Sequence, residues 1–151
     1  MQVRRAADYP VIPWKNGGGE TREIAVFPPE AGIEDFDWRI SMATVAENGL
    51  FSVFDGIDRT LFILEGDGVE LSFGGDNVET IGAKGHLSFP ADVPAHAKLR
   101  GEAVVDLNIM SRRSRGYHRA NKFDVTGLTT VDLASSTTLL FCMAGKLAIA
   151  I

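Results

Sequence analysis

The strongest constraint on what this chain can fold into is the way its glycines cut it into short pieces. Sixteen glycines punctuate β-rich runs at intervals of about 8 to 12 residues, the spacing of an all-β sandwich or barrel. No long helix is expected. In WRISMATV the side chains of Trp38, Ile40 and Met42 face one way and those of Arg39, Ser41 and Ala43 the other, because successive residues of a strand point to opposite faces. That alternation predicts a strand with one apolar and one mixed face. TLFILEGDGVELSF is expected to form a hairpin, with Gly66 to Gly68 taking the positive φ angles of a tight turn. A second hairpin or corner is expected at SFGGDNVET. GAKGHLSFPADVPAHAKL predicts a strand, an extended loop from Pro90 to Pro94 and another strand, and VVDLNIMSRR closes the set.

Composition narrows the class further. With 151 residues, 45% hydrophobic and 23% charged, the chain matches an ordinary globular protein of one compact unit, or two half-domains sharing a core. A net charge of −5 with both signs interspersed argues against a general nucleic-acid binder. One basic group, Arg112, Arg113, Arg115 and His118 in SRRSRGYH, is expected to be a solvated connection or an anion contact. No apolar stretch reaches the roughly 18 residues that cross a bilayer, and MQVRRAADYP lacks a hydrophobic signal core, so a cytoplasmic protein without a membrane partner is expected. The single Cys142, in the apolar run LLFCMAG, excludes an intramolecular disulfide and is expected to be a buried thiol.

LFILEGDGVEL, from Leu61 to Leu71, resembles LLFCMAGKLAI, from Leu139 to Ile149, with Gly66 matching Gly145. The likeness predicts one barrel unit present twice, a first over 17–112 and a partial second over 113–151, the latter without a counterpart of GHLSFPADVPAHA. Either residues beyond Ile151, or the N-terminal strand within 1–14 and another subunit, are expected to complete its wall, since an open edge favours pairing with a second chain.

The most unusual segment is PWKNGGGETREIAVFP, from Pro13 to Pro28. Three consecutive glycines can bring backbone amides close to a ligand, and Trp14, Lys15 and Asn16 beside them supply an aromatic face, a cation and an amide suited to a small carboxylate or amide. The plainer alternative is a glycine-rich turn leading into the strand TREIAVF. A phosphate-binding P-loop is excluded, because the lysine precedes the glycines and no GK[ST] follows.

This segment, followed by DFDWRISMATVAENGLFSVFDGIDRTLFILEGDG and LSFPADVPAHAKLRGEAVVDLNIMSRRSRGY, closely resembles the HutD/Ves family, with the likeness fading after about Tyr117. The resemblance implies an all-β bicupin of two cupin-like barrel halves, the second incomplete in this sequence. It also implies a homodimer, an accessory or regulatory role in histidine breakdown, and N-formyl-L-glutamate as ligand. Many cupins hold a metal through a His-x-His pair, a Glu and a further His. Here FSVFDGIDRT offers Phe51, Phe54 and Arg59 instead, leaving His96 near the position of the last ligand. One imidazole cannot hold a divalent ion that needs three or four protein ligands, so neither metal nor other cofactor is expected.

Polar side chains facing a barrel interior must be paired or contact a ligand. Arg39 and Ser41 share a face, as do Asp106, Asn108 and Met110, and Thr21 and Glu23. With Trp14, Lys15, Asn16, Arg59 and His96 they make the candidate acid-binding pocket, Lys15 and Arg39 for carboxylates and Asn16 and Asn108 for amide or formyl groups. Arg59 has the alternative of an ion pair with Asp58 or a neighbouring carboxylate, and His86 and His118 are expected on the surface or in loops. Two other readings compete: an isomerase or hydrolase using Glu23, Asp106 or His96 as general base, and a structural partner protein whose polar groups pair among themselves.

Overall fold

A computed structural model describes residues 2–15, 17–133 and 137–150. Among its described residues the unit spanning 1–120 is all-β apart from a single 3₁₀ turn at Ala6–Asp8. Its strands are β1 (Val11–Pro13), β2 (Gly19–Phe27), β3 (Trp38–Val45), β4 (Gly49–Leu50), β5 (Ile57–Glu65), β6 (Gly68–Ser72), β7 (Val78–Gly82), β8 (His86–Pro90), β9 (His96–Leu99) and β10 (Val104–Arg112). They form a six-stranded sheet in the order β1-β2-β3-β10-β5-β8 and a four-stranded sheet in the order β4-β9-β6-β7, and every pairing is antiparallel. Among the described residues no helix is long and apolar enough to cross a membrane.

Period-two alternation explains why the sheets stack. Ala43 and Val45 of β3, Leu61 and Ile63 of β5 and Val104 of β10 bury against Val69 and Leu71 of β6, Ile81 of β7 and Ala97 of β9 in one core, which removes both inner faces from water. A second apolar cluster holds Phe36, Ile57, Ala91 and Met110. Between the two, the inward rows turn polar. Down β10 the sequence is Val104, Asp106, Asn108, Met110, and across it stand Ala43, Ser41 and Arg39 of β3 and Ile63, Leu61 and Arg59 of β5. The mixed face of WRISMATV is therefore the inner one, although Ile40 on the opposite face is also buried.

One expected hairpin is not a hairpin. β5 pairs with β10 and β8, whereas β6 pairs with β7 and β9, so the turn at Gly66 to Gly68 is a corner that carries the chain from one sheet to the other. Gly68 is required there: its φ is +102°, and a Cβ on it would lie 2.0 Å from the Ile81 carbonyl oxygen. SFGGDNVET does form a hairpin, between β6 and β7, and the Pro90–Pro94 loop joins β8 to β9 as expected.

The N-terminal strand β1 pairs with β2 at the edge of the six-stranded sheet, which is where its hydrogen bonds go. The unit over 121–151 carries no helix or strand among its described residues, so the expected hairpin at Leu139 to Ile149 is not formed there. Cys142 is exposed, not buried, because the run that holds it joins no sheet that could cover it.

Candidate functional site

The glycine segment is the loop of the β1–β2 hairpin. It is closed by Trp14 N–H to the Gly19 carbonyl at 2.9 Å and Gly17 N–H to the Trp14 carbonyl at 3.1 Å. Gly19 is needed for close approach: a Cβ there would sit 2.1 Å from the Thr44 carbonyl oxygen and 3.1 Å from the Trp14 ring. The indole packs on the main core and donates to Thr21 Oγ1 at 2.8 Å. Trp14 and Thr21 are thus brought together, whereas Lys15 is exposed and does not join the interior group, because a loop imposes no inward alternation. Asn16 lies outside the described residues. Here the glycines accommodate strand and indole packing.

Inside the barrel, Arg39 is 6% exposed and donates from Nε to Glu23 Oε2 at 2.9 Å, with Glu23 half-buried on β2 opposite Ser41. Ser41, Asp106, Asn108 and Met110 are all buried. Asn108 Nδ2 donates to Asp106 Oδ1 at 2.6 Å. Burial pushes the Asp106 carboxyl up to about 7, against the opposing pull of the Arg59 charge, the Asn108 bond and the Ala43 backbone.

Arg59 is the least satisfied member. It is 5% exposed, its Nη2 donates to the Ser52 carbonyl at 3.3 Å, and its Nε has no hydrogen-bond partner. Its guanidinium carbon stands 5.6, 5.2 and 5.8 Å from the ring centroids of Phe51, Phe54 and Phe89, an aromatic box of the kind that holds a cation in place of water. Burial lowers its pKa to about 10, partly offset by Asp106, with the Arg39 charge lowering it further. The expected Arg59–Asp58 ion pair does not form. Asp58 stands on the outer face by alternation and is taken by Arg113.

His96 is exposed on β9 between the buried Ala95 and Ala97 and does not line the interior, since alternation turns it outward. A metal does not fit this interior. The groups meeting at the expected ligand positions are a guanidinium and phenyl rings, and among the described residues no three His, Cys, Asp or Glu side chains are placed to hold a metal ion.

Sequence reasoning missed two features. Phe89 completes the box because the β5–β8 register sets it opposite Arg59, a pairing invisible in LSFPA alone. On the outer face of the six-stranded sheet, His118 is half-buried and bridges Ser111 Oγ (2.7 Å from Nδ1) and Thr60 Oγ1 (2.8 Å from Nε2), while Thr60 also meets Ser88 Oγ at 2.8 Å. Burial holds its pKa below the usual histidine range. A hollow of about 180 Å³ lies beside it, lined by Asp58, Ser88 and Tyr117 among others.

The SRRSRGYH group is a clamp. Arg112 donates to the Phe36 and Glu34 carbonyls at 3.0 and 2.7 Å, Arg115 lies 3.5 Å from Asp37, and Arg113 bonds Asp58, Asp92 and the Ile57 carbonyl. Asp92 in turn accepts from Gly56 N–H, tying the 51–56 segment over Arg59 to the β8–β9 loop. The Arg113 bond holds the Asp92 carboxyl below its ordinary 3.8, so its contribution is full above the ordinary carboxylate range and is lost as pH falls below it. Arg113→Ala is expected to lower the melting temperature at neutral pH, by less in high salt and by less as pH falls through the Asp92 range, the remainder at low pH being the lost bond to the Ile57 carbonyl. A loss that ignores salt and pH would contradict the clamp.

Two stacked antiparallel sheets around an apolar core crossed by a polar belt make a cupin-like fold, and the chain is similar in fold to ectoine synthase from P. lautus (TM-score 0.56, 9% identity, covering 74% of this chain and 78% of that one). The HutD family model matches residues 6–151, and the chain belongs to that family. It is 38% identical over 141 residues to an uncharacterized 21.2 kDa protein in the hutC 3′ region of Pseudomonas putida, covering 93% of this chain and 73% of that one. It is 47% identical over 109 residues to protein Ves of Citrobacter koseri, covering 70% and 55%. The structure of HutD from Pseudomonas fluorescens SBW25 is similar with TM-score 0.65 and 34% identity, covering 71% of this chain and 58% of that one. The chain therefore spans well under two thirds of the Ves protein and of the HutD structure.

Proposed function

We propose that this chain is a metal-free cupin-type protein that binds a small carboxylate, N-formyl-L-glutamate, in an accessory or regulatory role in histidine utilisation. Arg59 carries the reading. A buried guanidinium walled by Phe51, Phe54 and Phe89, with no partner on Nε, lacks the acceptor that buried polar groups otherwise have, and a carboxylate is the acceptor its planar fork matches. Asn108, two residues along β10 from Met110, which pairs with Arg59, is available to a formyl or amide group. The HutD name of the solved P. fluorescens relative and the hutC neighbourhood of the P. putida protein support the pathway. The likeness of Leu61–Leu71 to Leu139–Ile149 supports a bicupin with its first barrel over 17–112 and a partial second over 113–151. A cytoplasmic homodimer completes the reading.

Isothermal titration with N-formyl-L-glutamate, glutamate and formate is expected to give saturable heat with the first. Silence from all of them at millimolar concentration would remove the assigned ligand. A second reading, general-base catalysis on a small carboxylate, is favoured by the buried Asp106 with its pKa near 7, the range a base at neutral pH needs. Product formed by the wild type and lost in Asp106→Asn would select it. Glu23 is engaged by Arg39 and His96 faces outward, so neither carries this alternative.

A further inference from the structure

The outer face of the six-stranded sheet carries a row of hydroxyls that carboxylate binding does not use. Alternation turns Asp58 and Thr60 of β5 to the side opposite Arg59. The registers then bring Ser88 of β8 level with Thr60 and Ser111 of β10 level with Asp58. Beyond β10, His118 lies across this row, with Nε2 2.8 Å from Thr60 Oγ1 and Nδ1 2.7 Å from Ser111 Oγ. Thr60 Oγ1 is also 2.8 Å from Ser88 Oγ. Ser88, Thr60, His118 and Ser111 therefore form one continuous chain of hydrogen bonds. Its Ser111 end is buried and its Ser88 end is exposed, and the hollow of about 180 Å³ is lined by Thr60, Ser88 and His118.

A neutral imidazole has one bare nitrogen and one N–H, so one of its two hydroxyl neighbours donates to it and the other accepts. With Nδ1–H donated to Ser111, Nε2 accepts from Thr60, Thr60 Oγ1 accepts from Ser88, and the Ser88 oxygen keeps its lone pairs for a substrate. A hydroxyl, a base it reaches through hydrogen bonds and a third group that orients the base are the parts of an activated nucleophile. The geometry points to Ser88 as the nucleophile of an acyl-transfer site that hydrolyses small carboxylic esters, with Thr60 passing its proton to His118 and Ser111 positioning the imidazole. Ser88 Oγ bonds to the ester carbonyl carbon while its proton moves to Thr60 and the Thr60 proton moves to His118 Nε2. The bond to the alcohol oxygen then breaks, and the alcohol leaves with the proton returned along the same chain. Water attacks the acyl carbon in the same way, the bond to Ser88 breaks, and a carboxylic acid departs. A cavity of roughly 150 Å³ holds a benzene ring, which sets the size of acyl group the hollow takes. Burial keeps His118 below the usual histidine range against the pull of Asp58, so the base is free to accept a proton at neutral pH. Asp58 itself is bonded to Arg113, and His86, on the same face of β8 as Ser88, stacks on Phe62. Tyr117 is the remaining titratable group on the hollow.

The test treats the full chain with phenylmethanesulfonyl fluoride, which modifies activated serines, and follows hydrolysis of p-nitrophenyl acetate from about pH 5 to about pH 9. Peptide mass mapping is expected to place the sulfonyl group on Ser88. The wild type is expected to release nitrophenol faster than Ser88→Ala, a change at an exposed position that leaves the fold intact. That Ser88-dependent rate is expected to fall on the acid side only below the ordinary histidine value of 6.5, as His118 becomes protonated. His118→Gln is expected to lower it on the order of a hundredfold and to abolish the acid-side fall. Ser111→Ala is expected to move that fall to lower pH, because the imidazolium loses an acceptor. Should His118→Gln not fold, the wild-type pH profile and Ser111→Ala decide in its place. A sulfonyl group found on another residue or on none, a rate unchanged in Ser88→Ala, or a Ser88-dependent rate without the acid-side fall overturns the proposal.

Discussion

Replacing Arg59 by Met is expected to abolish carboxylate binding while leaving the protein as stable as before, or more so. The binding loss follows from removing the guanidinium whose Nε has no internal acceptor. Truncating one partner of a desolvated charged contact costs roughly 2 to 5 kcal/mol, or on the order of thirty-fold and upward in Kd. The stability result follows from the same fact seen in the empty protein. A buried charge without a paired counter-ion is a standing cost, and an apolar residue of similar length removes it. Met can lie among Phe51, Phe54 and Phe89 as the arginine stem does. Asp106 then loses the charge that opposes its burial and stays protonated to higher pH. Urea unfolding and titration calorimetry on one preparation check both halves. A variant that unfolds easily yet still binds would mean that Arg59 is structural and that the ligand site lies elsewhere.

The second large effect is on the fold. Gly68→Ala is expected to lose at least about 3 kcal/mol, because the added methyl carbon meets the Ile81 carbonyl oxygen at 2.0 Å and Gly82 Cα at 2.9 Å while φ sits at +102°. Neither contact is with a flexible side chain, so relief requires β6 and β7 to separate. Those two strands carry Val69, Leu71 and Ile81 into the core, which couples the local clash to the global stability. A midpoint of denaturant unfolding indistinguishable from wild type would show that this corner is not formed as described.

How much of this was legible from residues alone varies from element to element. WRISMATV coincides with β3, and VVDLNIMSRR overruns β10 by one residue, because strict alternation carries its own period. The same period set Arg39 with Ser41, and Asp106 with Asn108 and Met110, on shared faces that prove to be inner ones. The outward turn of His96 was legible too, from the two alanines that flank it, but proximity to an expected metal-ligand position outweighed that signal. Lys15 stands in a loop where no period operates. The corner at Gly66 to Gly68 has the turn chemistry of a hairpin, and only the distant partners of β5 and β6 distinguish the two. His118 is the loop residue expected, but its bridging was not legible because the hydroxyls it joins, Thr60 and Ser111, are 58 and 7 residues away.

By itself the sequence determined an all-β chain, the positions of most strands, the family, and which side chains travel together on one face of a strand. Those are local properties, written in backbone preference and a two-residue repeat. Only the tertiary structure decided which face was enclosed, which strands became neighbours, and that Arg59 would be shut among three phenyl rings without a counter-ion while Asp106 was driven toward its neutral form. Desolvation and charge pairing depend on what the rest of the chain brings to a residue, and no short stretch of sequence contains that information.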